Sequence, residues 1–363
     1  MQFIDLKAQQ AVIKDLIDSN IKKVLYRGEF INGPEVLEIE QKIVDFTGAK
    51  HAIGCANGTD ALQLALMAID LKPGDEVITT PFTFIATVEV ILLLGLVPVF
   101  VDIDPKTYQI DHNKIQDVIS PKTRAIITVS LYGQCSEMDE INEIAKQNNL
   151  IVIEDAAQSF GATYKGKRSC NLSDIGCTSF FPSKPLGCYG DGGMVLTSND
   201  ELAAKIRMIR SHGQSKRYIH DYVGVNSRLD TIQAAILLAK MTIFEQEIQA
   251  RARIAQRYNE LLINTVELPE LMKHNTHVYA QYTIEVDDRD KVRKNLEDQA
   301  VPTAVHYPVG LHMQPVMQKM FGHCEGKFPY TESAARRVLS LPMHPYLTEA
   351  VQDEIVQKLK NSL

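Results

Sequence analysis

The sequence predicts an α/β protein, with a mostly parallel, doubly wound sheet in a large domain and a small α+β domain after it. Three observations predict this. Short apolar segments alternate with helical ones from Ala52 to Val195, the pattern that lays strands side by side under helices. Ile151–Ile153 is an unbroken apolar, β-branched run, as suits a strand buried on both faces. The 363 residues exceed what one core usually holds. The expected division is a large domain at 1–245, with an N-terminal helical arm, and a small one at 246–363.

The composition is that of a soluble globular protein, with 45% apolar and 23% charged residues. A net charge of −7 argues against a nucleic-acid partner. Any anionic substrate must therefore be held by local cations. Six cysteines without a CxxC spacing read as reduced thiols. The start MQFIDLKAQQ carries no apolar signal segment, and no run of 18 apolar residues occurs. A cytoplasmic protein with no membrane partner is expected.

In chain order, residues 5–26 place Leu6, Ile13, Ile17, Ile21 and Val24 at helical spacing, and Asn32-Gly33-Pro34 ends the run. A second helix covers Glu35–Phe46. The strand His51–Cys55 meets the helix Ala61–Ile69 through Ala56-Asn57-Gly58-Thr59-Asp60. That junction has two readings. A helix N-terminus beside a glycine offers free N–H groups to a phosphate, and Thr59 adds a hydroxyl. Equally, it is an ordinary turn capped by Thr59 or Asp60. Glu76–Thr79 is the next strand. Phe84 lies between it and a helix running to about Leu94, and a lone aromatic there is commonly core packing. Val97–Val101 is a strand. Asp102-Ile103-Asp104-Pro105 lacks the glycine and distal glutamate of a calcium loop, so it reads as a turn, and no metal is expected. Ala125–Val129 is a strand and Glu137–Asn148 a helix.

The most informative stretch is Ile151–Gly193. Its first strand ends in Glu154 and Asp155, at the carboxyl edge where open α/β sheets bind ligands. A second short strand, Thr178–Phe181, runs into Pro182-Ser183-Lys184 and a glycine-rich turn. A carboxylate and a lysine at the ends of two buried strands suit pyridoxal 5'-phosphate (PLP). The amine condenses with the cofactor aldehyde. The carboxylate keeps the pyridine nitrogen protonated, so that the ring draws electrons. A competing pattern, Ala157-Gln158-Ser159-Phe160-Gly161, approximates the nucleophile elbow of α/β-hydrolases. It leaves the Lys184 loop and the Gly58 turn unexplained.

Met194–Thr197 is a strand. Lys205, Arg207 and Arg210 on the helix Glu201–Ser211 read as a solvated charged face. Residues 223–230 carry Asn226 and Arg228. A guanidinium can grip a carboxylate through two bonds, or it can cap a helix or pair with Asp230. Arg228–Leu262 reads as one long helical stretch linking the domains. Beyond it come a strand at Val278–Val286, a helix at Arg289–Ala300 and a strand at Pro302–Tyr307 that includes His306 and Tyr307. Helices follow at Thr331–Leu339 and Glu349–Lys360.

The run EDAAQS, followed after a polar loop by SFFPSKPLGCYGDGG, resembles the DegT/DnrJ/EryC1/StrS sugar aminotransferases, of fold type I among PLP enzymes. Within that family it is most similar to enzymes that aminate C3 of a UDP-linked 2-acetamido-3-keto-glucuronate for bacterial O-antigen. The similarity runs from FIDLKAQQ to LPMHPYL, nearly the whole chain. Pro185 stands where the family commonly has Asn, a variant that points to the uronate branch.

The resemblance implies a sheet of the seven-stranded type, PLP as cofactor and Lys184 as the catalytic amine. It implies Asp155 at the ring nitrogen, Gln158 at the phenolic oxygen and Phe84 stacked on the ring. Gly58, Thr59, Ser179 and an Asn226 supplied across the subunit interface are implied at the phosphate. Arg228, His306 and Tyr307 are implied at the substrate, with L-glutamate as amino donor and a UDP-linked keto-sugar as acceptor. The implied active unit is a homodimer whose sites are shared between subunits. Family members that dehydrate carry histidine in place of the lysine, so Lys184 argues for transamination. The alternative within the family is amination at C4 or C3 of a neutral UDP- or dTDP-linked keto-6-deoxy sugar.

Overall fold

The computed structural model describes residues 1–363. The N-terminal arm holds two helices where the pattern suggested one: α1 (Leu6–Val12) and α2 (Lys14–Arg27), parted at Ile13, where φ is −121°. The Asp5 carboxylate caps α1, accepting from the Ala8 N–H at 2.9 Å. Gly28 ends α2 with a φ of 77°, a conformation glycine adopts without strain. α3 (Pro34–Thr47) opens on its proline, whose missing N–H is no loss at that position.

The large sheet follows. β1 (His51–Cys55), α4 (Gly58–Ala68), β2 (Glu76–Thr79), α5 (Ala86–Leu93), β3 (Val97–Phe100), β4 (Thr123–Val129), α6 (Met138–Gln147) and β5 (Ile151–Asp155) succeed one another along the chain. A small hairpin, β6 (Thr163–Tyr164) and β7 (Lys167–Arg168), leads to β8 (Ile175–Ser179) and β9 (Gly193–Thr197). Seven strands lie in the order β1-β9-β8-β5-β4-β2-β3. β3, β2, β4, β5 and β8 are mutually parallel. Only β9 runs against its neighbours, so the mostly parallel sheet is as expected. β8 ends at Ser179 and leaves Phe180 and Phe181 to the following turn.

Side chains alternate between the two faces of this sheet. Val77, Ile127, Ile153 and Ile175 pack with Leu62 and Ala65 of α4 on one face. Ile78, Ile126 and Val152 pack with Met138 and Ile141 of α6 on the other. Helices on both faces are why these strands read as continuous apolar runs.

α7 (Asp200–Ile209) packs over the first face, and its cations are not the solvated fringe their pattern suggested. Glu40, buried on α3, is ion-paired to Arg207 at 3.0 Å and, just past the helix end, to Arg210 at 3.1 Å. Lys205 pairs with Asp70. An exposed hairpin follows, β10 (Gln214–Lys216) and β11 (Ile219–His220). The long helical stretch is two helices, α8 (Thr231–Met241) and α9 (Phe244–Leu262). They part at Thr242, whose hydroxyl donates to the Ala239 carbonyl at 2.7 Å, a bond that competes with helix continuation.

The C-terminal part contains β12 (Tyr282–Glu285), α10 (Arg289–Asp298), α11 (Pro315–Phe321), α12 (Pro329–Arg337), β13 (Val338–Leu341) and α13 (Glu349–Lys360). β12 and β13 pair antiparallel. With Ile254 and Tyr258 of α9 and Ile355 of α13 they form an apolar cluster of their own. Two expectations fail here. Residues 302–307 form no strand, only a bridge from Ala304 to Ser340 on the outer edge of β13, because Pro302 and Pro342 have no N–H to carry the ladder further. The helix expected at Thr331–Leu339 starts at Pro329 and gives way to β13 at Val338. Asp102 is more than a turn residue. Its carboxylate accepts from the N–H of Tyr330 (3.0 Å) and Thr331 (2.9 Å) and from the Thr331 hydroxyl (2.7 Å), capping α12 from a distant loop.

Candidate active site

β5 ends in two adjacent carboxylates that the pleat sends to opposite faces. Glu154 is fully buried and accepts from the Ser130 hydroxyl (3.0 Å), the Ser169 hydroxyl (2.7 Å) and the Cys170 N–H (2.7 Å). Asp155 faces the other way. Its Oδ2 accepts from the Thr87 hydroxyl at 2.8 Å and its Oδ1 from the Ala157 N–H at 3.2 Å. Burial pushes the Asp155 carboxyl above its ordinary range, while those two donors and the charge of Lys184 hold it down.

Lys184 follows β8 in a turn closed by its own N–H on the Phe181 carbonyl at 2.9 Å. The residue is partly exposed, yet its amine is enclosed. Burial lowers its pKa, and Asp155 is the one charge that resists. No side chain hydrogen-bonds the amine. An enclosed amine with no bonding partner is free to serve as a nucleophile or proton carrier toward a group from outside the chain.

His306 and Tyr307 meet this pair from the C-terminal part. Burial and the neighbouring Lys184 charge push His306 down to about 4, and its Nδ1 lies 3.2 Å from the Ser340 hydroxyl. Burial raises Tyr307, with the Asp155 charge adding to the effect. Gln158 joins them. Its Oε1 accepts from the Tyr132 N–H at 2.7 Å, so its Nε2 is the end that donates to the Tyr307 hydroxyl at 3.2 Å. One Nε2 hydrogen stays free. The ring of Phe84, half exposed, has its centroid 6.3 Å from that of Tyr307.

The Gly58 turn lies beside the same edge. The cap of α4 is Asn57, whose Oδ1 accepts from the Asp60 N–H at 2.8 Å, not Thr59 or Asp60. The first N–H groups of α4, on Gly58 and Thr59, therefore stay open to a ligand. A Cβ on Gly58 would lie 2.6 Å from the Cβ of Ser179, so glycine is required for the helix start to approach that serine. Six predicted residues thus converge at the sheet's carboxyl edge: Asp155, Lys184, Gln158, His306 and Tyr307, with Phe84 beside Tyr307; Thr87, which was not predicted, stands behind Asp155. Gly58, Thr59 and Ser179 form a second group.

Asn226 and Arg228 are not bonded to either group. They flank Ser227, whose buried hydroxyl accepts from the Ala56 N–H at 3.2 Å. Asn226 is exposed and Arg228 half-buried. Arg228 forms no ion pair within the chain, so the pairing with Asp230 weighed above does not occur. The hydrolase reading also fails. Ser159 is fully buried, its hydroxyl 2.7 Å from that of Ser169, with no histidine as base.

Two residues at the site had no reading in the sequence. Thr87 stands one helical turn after Thr83, a spacing that could have suggested a pair of inward hydroxyls. Tyr132 gave no signal. Its φ of 61° and its hydroxyl bond to the His306 carbonyl depend on distant packing.

The sheet and its lysine–carboxylate edge define a PLP-dependent aminotransferase of fold type I. More particularly, the chain belongs to the DegT/DnrJ/EryC1/StrS aminotransferase family, whose model matches residues 12–360. It is 56% identical, over 99% of its length and 100% of the relative's, to the UDP-2-acetamido-2-deoxy-3-oxo-D-glucuronate aminotransferase of Pseudomonas aeruginosa. Its fold matches a DegT/DnrJ/EryC1/StrS aminotransferase from Brucella abortus with a TM-score of 0.95 and 44% identity, covering 99% of both chains. It also matches NtdA of Bacillus subtilis with bound cofactor PMP, at a TM-score of 0.90 and 35% identity, over 99% of this chain and 83% of that one. The residues present suit the cofactor. They provide an enclosed, unbonded amine, a carboxylate held by neutral donors, and a helix start whose approach to a serine a Cβ would block. No helix is long and apolar enough to cross a membrane.

Proposed function

We propose that this protein moves an amino group from L-glutamate to C3 of a UDP-linked 2-acetamido-3-keto-glucuronate. The product, a UDP-linked 2-acetamido-3-amino-glucuronate, would serve O-antigen synthesis in the cytoplasm. The observation that carries this reading is the full-length 56% identity to an enzyme named for that substrate. The unpaired guanidinium of Arg228 supports it, since a uronate carboxylate is the natural partner of such a group.

When bound, the cofactor supplies an electrophilic carbon and a ring that accepts electrons. Lys184 would anchor it, move the proton taken from Cα of the donor onto the cofactor, and in the second half move a proton from the cofactor onto the acceptor carbon. The lowered pKa of the amine leaves more of it as the free base near neutrality. Asp155 holds a proton on the ring nitrogen. The free hydrogen of Gln158 Nε2 serves the phenolic oxygen, and Phe84 covers the ring. Gly58, Thr59 and Ser179 bind the phosphate, and Asn226 completes that cradle across the interface of a homodimer. Arg228 binds the uronate carboxylate, with His306 and Tyr307 beside the sugar. The exposed Tyr218, Ile219, Tyr222 and Val223 around the β10–β11 hairpin support pairing with a second copy. We also divide the chain into a large domain at 1–245 and a small one at 246–363. The separate apolar cluster of the C-terminal part supports that boundary.

The test is a visible-absorbance titration of the PLP-loaded enzyme with amino-sugar nucleotides, which runs the second half of the reaction backwards. Bleaching of the yellow absorbance by UDP-linked 2-acetamido-3-amino-glucuronate, and not by a neutral UDP- or dTDP-linked 4-amino sugar, is the expected outcome. Bleaching by the neutral sugar alone would replace the uronate with a 6-deoxy substrate.

A further inference from the structure

We propose that Thr87, backed by Thr83, is a positioning residue that keeps Asp155 ionised and oriented to hold a proton on the cofactor's ring nitrogen. The proposal rests on the placement of Asp155 at that nitrogen.

With Asp155 ionised, the hydrogen count fixes the direction of this short chain. An ionised carboxylate only accepts, and each threonine hydroxyl has one hydrogen to give. The Thr87 hydroxyl lies 2.8 Å from Asp155 Oδ2 and 3.2 Å from the Thr83 hydroxyl. If Thr87 donates to Asp155, Thr83 must donate to Thr87. The Ala157 N–H takes the other oxygen, Oδ1. Every protein hydrogen bond at Asp155 thus points toward the carboxylate. A neutral Asp155 would have to reverse the chain, its Oδ2–H donating to Thr87 and Thr87 to Thr83, and would give up the charge-assisted bonds. These neutral donors oppose the burial that pushes the carboxyl up. The charge of Lys184 acts on it, and its own charge acts in turn on Glu154, Cys177 and Tyr307.

Water cannot substitute for this chain. Thr83 is 2% exposed, Thr87 is fully buried and Asp155 is 7% exposed. The two threonines also bracket Phe84. One turn of chain at the start of α5 therefore presents the aromatic ring on its open side and sends two hydroxyls inward. The segment that covers the cofactor ring also sets the charge of the acid behind it.

The experiment uses enzyme loaded with pyridoxamine phosphate whose ring nitrogen is isotopically labelled and read by NMR. In the unmodified protein the nitrogen should report the protonated form. In Thr87→Val, which keeps the side-chain shape, the signal should move toward neutral pyridine, and retention of pyridoxamine phosphate in dialysis should weaken roughly tenfold. Thr87→Ser restores the hydroxyl and should match the unmodified protein in both readouts. A role in packing alone would not move the nitrogen signal. An unchanged signal in Thr87→Val overturns the proposal. Asp155→Asn separates the two levels of the argument. If it too leaves the signal unchanged, the placement of Asp155 fails. If it alone moves the signal, only the threonine pair fails. Should Thr87→Val not fold, Thr83→Val leaves both bonds to Asp155 in place and decides. A smaller shift in the same direction supports the chain, and none refutes it.

Discussion

Two regions of this protein bury charge, and they treat it in opposite ways. Behind β1, Glu40 is 4% exposed. It accepts from Arg207, Arg210 and the Gly54 N–H at 2.8 Å, so its electrostatic needs are met inside the chain. At the carboxyl edge of β5 and β8, Lys184 has no bonding partner, and Asp155 is held only by a hydroxyl and an amide. Burying an unpaired ion is costly, and this fold demonstrably can pair one. The open region is therefore the one with charge left over for a ligand. The closed region holds α3, β1 and α7 together.

The comparison breaks most plainly at Lys184. Lys184→Ala should lower turnover by roughly a thousandfold or more, because anchor and proton carrier vanish together. Unfolding by urea should show no loss of stability, since removing an unpaired buried amine relieves desolvation. Near-normal turnover in steady-state assays would remove Lys184 from the chemistry. The reverse pattern belongs to Glu40. Glu40→Ala strands two guanidiniums and a buried amide, which should lower stability by about 3 kcal/mol. That is the lower end for such a break, because Arg207 reaches solvent. The cofactor should still bind at the low temperatures where the variant stays folded. A change below 1 kcal/mol in urea midpoints would make the Glu40 cluster ornamental.

His306 sharpens the comparison through pH. Its folded pKa, pushed down to about 4, lies below the ordinary value of about 6.5. The unfolded chain therefore takes up the proton first. The stability linked to this group is complete above the unfolded value and drains as pH falls from about 6.5 toward 4. Between about pH 7.5 and 5 the loss should reach about 2 kcal/mol. In cofactor-free His306→Asn that increment should disappear, while other titrating groups such as His277 and His344 act equally on both proteins. Parallel stability curves for the two proteins would show that His306 is not enclosed as described.

The split between open and closed regions was only half legible in the sequence. Doubly covered strands leave unbroken β-branched runs, so β5 and the parallel sheet could be read directly. Asp155 and Lys184 followed, because each stands just past a strand end. What stayed hidden is what distant chain segments impose. Arg210 reads as a surface cation until Glu40, far away in the sequence, is folded against it. Asp102 reads as a turn until α12 arrives to be capped. The alternating residues at 302–307 read as a strand, but only Ala304 pairs with the outer edge of β13, where Pro302 and Pro342 offer no N–H to extend the ladder. His306 lies near Lys184 only because the C-terminal part folds back onto the sheet. Local pattern fixes elements and their ends, whereas the pairing of charges belongs to tertiary structure.

Arg228 belongs to neither region. It is half-buried, carries a full charge and pairs with nothing in its own chain, while Ser227 beside it is anchored to Ala56. The strand-like alternation from Val225 to Leu229 sends Ser227 inward and Asn226 outward. The anchored serine fixes where the backbone of its neighbours points, so Arg228 leaves the chain in a set direction. A group held this way contributes most where its partner is charged and planar. In Arg228→Ala the KM for the uronate substrate should rise roughly tenfold, the equivalent of about 1.4 kcal/mol, while the KM for glutamate stays nearly unchanged. Arg228→Lys should recover only part of the loss, because an ammonium cannot make the paired bonds. The ratio of the two KM changes is the deciding quantity. A selective loss makes Arg228 the third treatment of charge in this molecule, a cation left open for the substrate as Lys184 is left open for the cofactor. Equal losses for both substrates would instead make it part of the frame, with Glu40.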